Sequence, residues 1–148
     1  MKYREWIERG DRASDPMDRF NCYWYAFNNL YSEFEGRSEI HKIQSFTEAA
    51  VSAGRAASLL GKWDSQVAYL MSKPVHNVPD NGRNTEQYIR EFNQADDCET
   101  RLERVLLVIY RVRCNLIHGQ KSPSRLRDQE LCGAAAPLIA DIVRCVES

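Results

Sequence analysis

Three observations predict an all-α fold, a bundle of four to six helices. Apolar residues recur at three- and four-residue steps in several segments, period-2 alternation is nowhere sustained, and glycine and proline stand where helices start or stop. Only 12 of the 148 residues are glycine or proline, so few breakers interrupt the pattern. The length fits one domain, residues 1–148, able to bury roughly 68–70% of its unfolded surface without a metal or disulfide staple.

The first helix is short and amphipathic, over Lys2 to Arg12. Asp15-Pro16 then reads as an N-cap followed by proline at the first helical position. The helix it opens is expected to reach Phe34 or Glu35, with Gly36 as its stop. Its stripe Phe20, Trp24, Phe27, Tyr31, Phe34 steps by four and three, one helical face that belongs in the core. Asn28 intrudes on that aromatic face, which predicts a buried amide with hydrogen-bond partners. Ser38 to Gly54 reads as a third helix, and Arg55 to Met71 as a less regular one with Trp63, Val67 and Leu70 inward. Lys73 to Gly82 holds two prolines and an Asn-Gly pair, so it is a loop. A helical stretch begins near Asn84 or Thr85 and is interrupted around Asp96-Asp97. The strongest helix follows, with Leu102, Val105, Ile109, Val112 and Leu116 at helical steps, ending at His118-Gly119. The last helix runs from Ser124 to Val146, and Pro137 is expected to kink or divide it.

Composition narrows the function classes. The longest apolar run, Val105 to Tyr110, is far short of the roughly 20 residues a membrane span requires. The charged start, Met1-Lys2-Tyr3-Arg4-Glu5-Trp6, lacks the apolar stretch of a signal peptide. A soluble, cytoplasmic protein without membrane attachment is the expectation. Five cysteines without a CxxC pair predict reduced thiols, and His41, His76 and His118 show no metal-ligand spacing. No metal and no cofactor are expected. Net charge is −1, yet Arg101 to Asp128 holds seven positive residues against two negative ones, net +5. Arginine's planar fork suits phosphate, so this window points weakly to nucleic acid, but charge alone favours a solvated helix face.

Chemistry concentrates in Tyr110-Arg111-Val112-Arg113-Cys114-Asn115-Leu116-Ile117-His118-Gly119. At about 100° per residue, Arg111, Asn115 and His118 share one helical face, while Arg113 lies about 140° from His118. His118 falls in the last turn, where the macrodipole favours a cation. An imidazole titrating near neutrality beside arginines is a suitable general acid or base for phosphate chemistry. The same pair also serves simply to complement the helix C-terminus, and spacing alone favours that plainer role. His41, on a polar helix side, and His76, isolated in the proline-flanked loop, carry no such pattern. Cys114, beside two arginines but without a base in sequence, reads as a small buried side chain.

Arg113-Cys114-Asn115-Leu116-Ile117-His118-Gly119 resembles the R-x4-6-H signature of the HEPN superfamily, which often reads Arg-Asn-Asn-Leu-Phe-His-Gly. Lys121, and then Asp128, Leu131 and Ala135 at helical spacing, resemble what commonly follows it. A second block, Phe20-Asn21-Cys22-Tyr23-Trp24-Tyr25-Ala26-Phe27-Asn28-Asn29-Leu30-Tyr31, is similar to the F-x3-W-x-A-F-N-x-L-Y pattern of one HEPN branch. Cys114 departs from the usual first polar position. Gln120 stands where one branch carries a tyrosine, so the tyrosine modification of that branch is not expected.

The resemblance implies a HEPN-like helical bundle that dimerises, with the motifs of both subunits lining one cleft. It also implies a metal-independent endoribonuclease, a toxin or defence effector, held by an antitoxin or within a larger complex. By that resemblance Arg113 and His118 are the catalytic pair, Asn115 orients the phosphate or the imidazole, and Arg111 and Lys121 contact RNA. Cleavage through the 2′-hydroxyl needs a base, an acid and positive charge on the phosphorane. A two-fold dimer supplies two histidines and two arginines, which resolves the 140° divergence. Two other readings stand beside it. One is a catalytically inactive HEPN module that binds RNA, nucleotide or a protein partner, and the other is a helical interaction protein whose Arg/His pair only caps.

Overall fold

The computed structural model describes residues 2–76, 84–117 and 126–147. Eight α-helices lie among them: α1 Lys2–Arg12, α2 Pro16–Tyr31, α3 Glu39–Ala50, α4 Ala53–Lys62, α5 Asp64–Met71, α6 Glu86–Gln94, α7 Cys98–Ile117 and α8 Leu126–Glu147. No strand forms among the described residues, and one antiparallel bridge pairs His76 with Asn84. The chain is all-α, with eight helices in place of the expected four to six.

The extra helices come from short polar breaks. The segment Ser38 to Gly54 is cut at Val51-Ser52, both extended, because the Ser52 hydroxyl accepts from the Arg55 amide and starts α4 afresh. Trp63 divides the next stretch into α4 and α5. Asp97 caps α7, its carboxylate accepting from the Thr100 amide at 2.9 Å and hydroxyl at 2.6 Å, which fixes the interruption expected there. Asp15 caps α2 as expected, accepting from the amides of Met17 and Asp18. That helix ends earlier than its spacing suggests, at Tyr31 with Ser32 as C-cap. Phe34 still packs inward, on Phe46 at 5.6 Å, from a turn and not from the helix. Gly36 is no helix stop. A side chain there would meet His41 and the Lys42 amide at 2.8 Å, so glycine lets this turn approach the start of α3. Pro137 lies inside α8 without dividing it.

The core is organised around α7. Val105, Leu106, Leu107, Val108 and Ile109 are consecutive and all buried, so the helix is covered on every side. It touches α3, α4, α5, α6 and α8. The aromatic stripe of α2 packs edge-on, with Trp24 5.2 Å from Phe27 and Phe27 5.4 Å from Phe46. α1 lies on α2, and α2 in turn on α8. Asp11 locks this outer layer, accepting from the Tyr23 hydroxyl at 2.7 Å and from Arg144 at 2.6 and 2.8 Å. Burial pushes its carboxyl up, but the hydrogen bonds from Tyr23 and Arg144 and the charges of Arg144 and Arg19 outweigh it and hold it below 3.8. All five cysteines are free thiols, and burial pushes Cys132 up to about 12, which makes it inert.

Two substitutions of helical glycine test the packing with opposite signs. Gly10→Ala places a methyl 2.5 Å from the Tyr23 ring, which Asp11 holds in place, and is expected to cost about 1–3 kcal/mol. Gly61→Ala meets nothing within 4 Å and is expected to stabilise by up to about 1 kcal/mol. Denaturant unfolding reads both. The depressed Asp11 carboxyl stabilises the fold above its ordinary value of 3.8, and that contribution disappears as pH falls through its folded-state value. Asp11→Asn is therefore expected to lower Tm at pH 7, with the gap to wild type narrowing below pH 3.8.

Candidate functional site

The end of α7 changes character at Tyr110, where the buried apolar run gives way to half-buried polar residues. Arg113 sits on the side facing α3, with its guanidinium 4.0 Å from Glu39 Oε2 and only 20% exposed. Glu39 opens α3, where a carboxylate complements the helix N-terminus. Its Oε1 accepts from the Tyr31 hydroxyl at 2.8 Å and from Asn28 Nδ2 at 3.2 Å, and its Oε2 from the Tyr110 hydroxyl at 3.2 Å. Asn28 Nδ2 also donates to the Tyr31 hydroxyl at 2.8 Å. One carboxylate thus gathers donors from α2 and α7 around the arginine.

The phenols are fixed as donors. Burial, and then the bond to Glu39, raises Tyr31 well above an ordinary phenol. Burial, the neighbouring Cys114 and Glu39 do the same to Tyr110. Neither hydroxyl ionises near neutral pH, so the carboxylate keeps its hydrogen bonds. Tyr110 also stacks 6.2 Å from Trp24, and the Arg111 guanidinium lies 5.8 Å over its ring. Cys114 is half-buried beside Tyr110.

Asn115 faces elsewhere. It follows Arg113 by two residues, about 200° around the helix. Its side chain is buried, and Nδ2 donates to the His76 carbonyl at 2.6 Å. That loop stem is held further by Val75, whose amide donates to Thr85 Oγ1 at 2.9 Å and whose carbonyl accepts from the Thr85 amide at 3.0 Å. Of the residues singled out in the sequence, Arg113 therefore joins the Glu39 cluster, Arg111 covers Tyr110, and Asn115 bolts the 73–76 stem to α7. Arg113 and Asn115 do not come together. His118 and Lys121 lie outside the described residues.

Two contributors were hidden in the sequence. Glu39 lies in the stretch Ser38 to Gly54, which the sequence marks only as a helix, and the packing of α3 against α2 and α7 makes it the hub. His76, isolated along the chain, is brought by its carbonyl to within three residues of His118 in sequence, with its own side chain exposed. Asn28, expected to be buried and bonded, is half-buried with two hydrogen bonds. Several of the described arginines of the basic window are engaged within the fold. Arg101 stacks 4.3 Å over Phe92, and Arg104 pairs with Glu91 and Glu103. Arg127 donates to the Tyr69 hydroxyl and the Lys73 carbonyl, so much of that charge serves packing. Among the described residues no three His, Cys, Asp or Glu side chains gather as a metal site, and no helix is long and apolar enough to cross a membrane.

No family model matches the chain, and searches of the curated proteins and of the solved structures find no significant match.

Removing the hub is expected to loosen the site. Glu39→Ala deprives the buried Tyr31 hydroxyl, Tyr110 and Asn28 of a shared acceptor and is expected to cost about 1–3 kcal/mol in denaturant unfolding. Glu39→Gln, which keeps an acceptor oxygen, retains more than half of that stability.

Proposed function

We propose that this chain is a HEPN-type, metal-independent endoribonuclease that cleaves RNA by attack of the 2′-hydroxyl on the adjacent phosphodiester. The observation that carries the reading is the meeting of the two sequence blocks on one carboxylate. Asn28 and Tyr31 close the first block, Arg113 opens the second, and all three converge on Glu39 although more than 80 residues separate the blocks. A guanidinium that is 20% exposed and faces this cluster at 4.0 Å has less side-chain freedom to lose on binding phosphate than a fully solvated one.

In this reading His118 takes the proton from the 2′-hydroxyl or returns one to the leaving 5′-oxygen. Arg113 stabilises the charge that develops on the phosphorane. A second protomer supplies the complementary His118 and Arg113, so the active species is a homodimer. Arg111 and Lys121 hold the RNA backbone. Asn115 acts at one remove, tying the loop that carries His76 to the end of α7. A toxin or defence role, with an antitoxin or larger complex restraining it in the cytoplasm, follows from the same resemblance. An inactive RNA-, nucleotide- or protein-binding HEPN module is the second reading. It is favoured by Cys114 at a usually polar position, by the net charge of −1, and by the carboxylate already facing Arg113.

The deciding experiment measures cleavage of a mixed RNA pool in a chelating buffer, for wild type, His118→Ala and Arg113→Ala. Wild type is expected to leave 2′,3′-cyclic phosphate ends, and each variant to lose roughly a hundredfold or more in rate. Cleavage undiminished in His118→Ala overturns the assignment. Salt-dependent RNA binding by wild type without cleavage selects the second reading.

A further inference from the structure

A second site lies at the opposite end of α2. Arg19 precedes Tyr31 by twelve residues, roughly 18 Å along the helix axis. There the first two turns of α2, the α4–α5 junction and the middle of α8 enclose a cavity of about 430 Å3. That is within the range of small-molecule sites, and nothing in the ribonuclease reading uses it.

The wall on α8 is made by residues that leave space and remove one helical hydrogen-bond donor. Gly133, Ala136 and Ala140 are small, and Pro137 lines the cavity beside them. Proline has no amide hydrogen, so the Gly133 carbonyl loses the donor that an ordinary helix supplies four residues on. A Cβ at position 133 would stand 3.9 Å from Pro16 on the facing wall, so glycine here is not required by crowding. Trp63 and Tyr23 add aromatic walls, and both are pinned. The Trp63 indole donates to Asp141 Oδ2 at 2.9 Å and the Tyr23 hydroxyl to Asp11 at 2.7 Å.

Charge is arranged with equal economy. Lys62 pairs with Asp141 at 3.0 Å, and Arg144 with Asp11. Arg19 also lines the cavity, and no carboxylate lies within ion-pair distance of it among the described residues. Its Nε and Nη2 both donate to the Ala13 carbonyl, at 3.2 and 2.6 Å, which holds the guanidinium in place without neutralising it. Three cations against two carboxylates leave one positive charge, beside aromatic walls and a carbonyl that lacks its usual donor four residues on.

We propose that this cavity binds a flat, singly charged organic anion bearing a hydrogen-bond donor. The anionic group meets Arg19, the ring lies among Trp63, Tyr23 and Pro137, and the donor reaches the Gly133 carbonyl. Two sources share that chemistry, aromatic carboxylates and cyclic nucleoside monophosphates.

Calorimetric titration tests this on the full chain with 4-aminobenzoate and adenosine 2′,3′-cyclic monophosphate as anionic probes. Aniline and adenosine are their uncharged counterparts. Saturable one-site binding of at least one anion, roughly tenfold or more tighter than its uncharged counterpart, is expected. Which anion binds identifies the source. Gly133→Val, which fills the cavity without touching a charge, and Arg19→Met are each expected to weaken binding at least about tenfold with Tm preserved. Absence of binding by both anions, equal binding by the neutral compounds, or undiminished binding by folded Gly133→Val overturns the proposal. None of these outcomes depends on RNA cleavage, so the two readings fail or stand separately.

Discussion

A helix that is apolar on all sides must be surrounded, and α7 imposes that constraint on the rest of the molecule. Five successive residues, Val105 to Ile109, are 0–2% exposed, which is incompatible with a surface helix showing one stripe inward. α3, α4, α5, α6 and α8 supply the cover, while α1 and α2 are added outside through α8 and α3. Short helices suit this task better than long ones. Each of α3 to α6 is 12 residues or fewer, and the chain turns between them at short breaks, those after α3 and α6 capped by Ser52 and Asp97. The count of eight helices is thus a consequence of the burial that α7 demands.

The same constraint locates the candidate site. Once α7 passes Ile109 it leaves the apolar enclosure, and its polar residues find partners according to their angle around the axis. Arg113 turns toward α3 and meets Glu39, while Asn115, about 200° away, turns toward the 73–76 stem. The motif that looks continuous in sequence is divided in space between an arginine cluster and a loop anchor. Glu39 holds the former together because two phenols that stay protonated and an amide all donate to it. At the far end of α2, Asp11 and Asp141 play a comparable organising role around cations, while Arg19 has no carboxylate within ion-pair distance among the described residues and acts on Asp11 only from further off. The two ends of one helix therefore carry differently charged environments.

Much of the fold was legible along the chain. The bounds of α1, the Asp15-Pro16 start of α2, the Asp97 break and the aromatic stripe of α2 all depend on local caps and periodicity, which sequence encodes directly. The end of α2 was misjudged because Phe34 continues the spacing yet reaches the core from a turn. The break at Val51-Ser52 was missed because the apolar pattern runs across it and only the Ser52 cap signals the restart. The +5 window likewise promised a patch. Arg101 and Arg104 on α7 and Arg127 on α8 are each engaged with a different ring or carboxylate, and charge density along a chain does not specify where side chains go.

What the sequence determined by itself is the helical class, the caps that open α2 and α7, and the strong apolar periodicity of α7. Periodicity, capping and side-chain chemistry are local properties, so these follow without coordinates. Tertiary structure alone decided that Glu39 would be the hub for Arg113, that His76 and Asn115 would be joined, and that a charged cavity would open beside Pro137. Each of these depends on residues tens of positions apart meeting at distances of a few ångströms. Such meetings are set by how the helices pack, and no single stretch of chain contains that information.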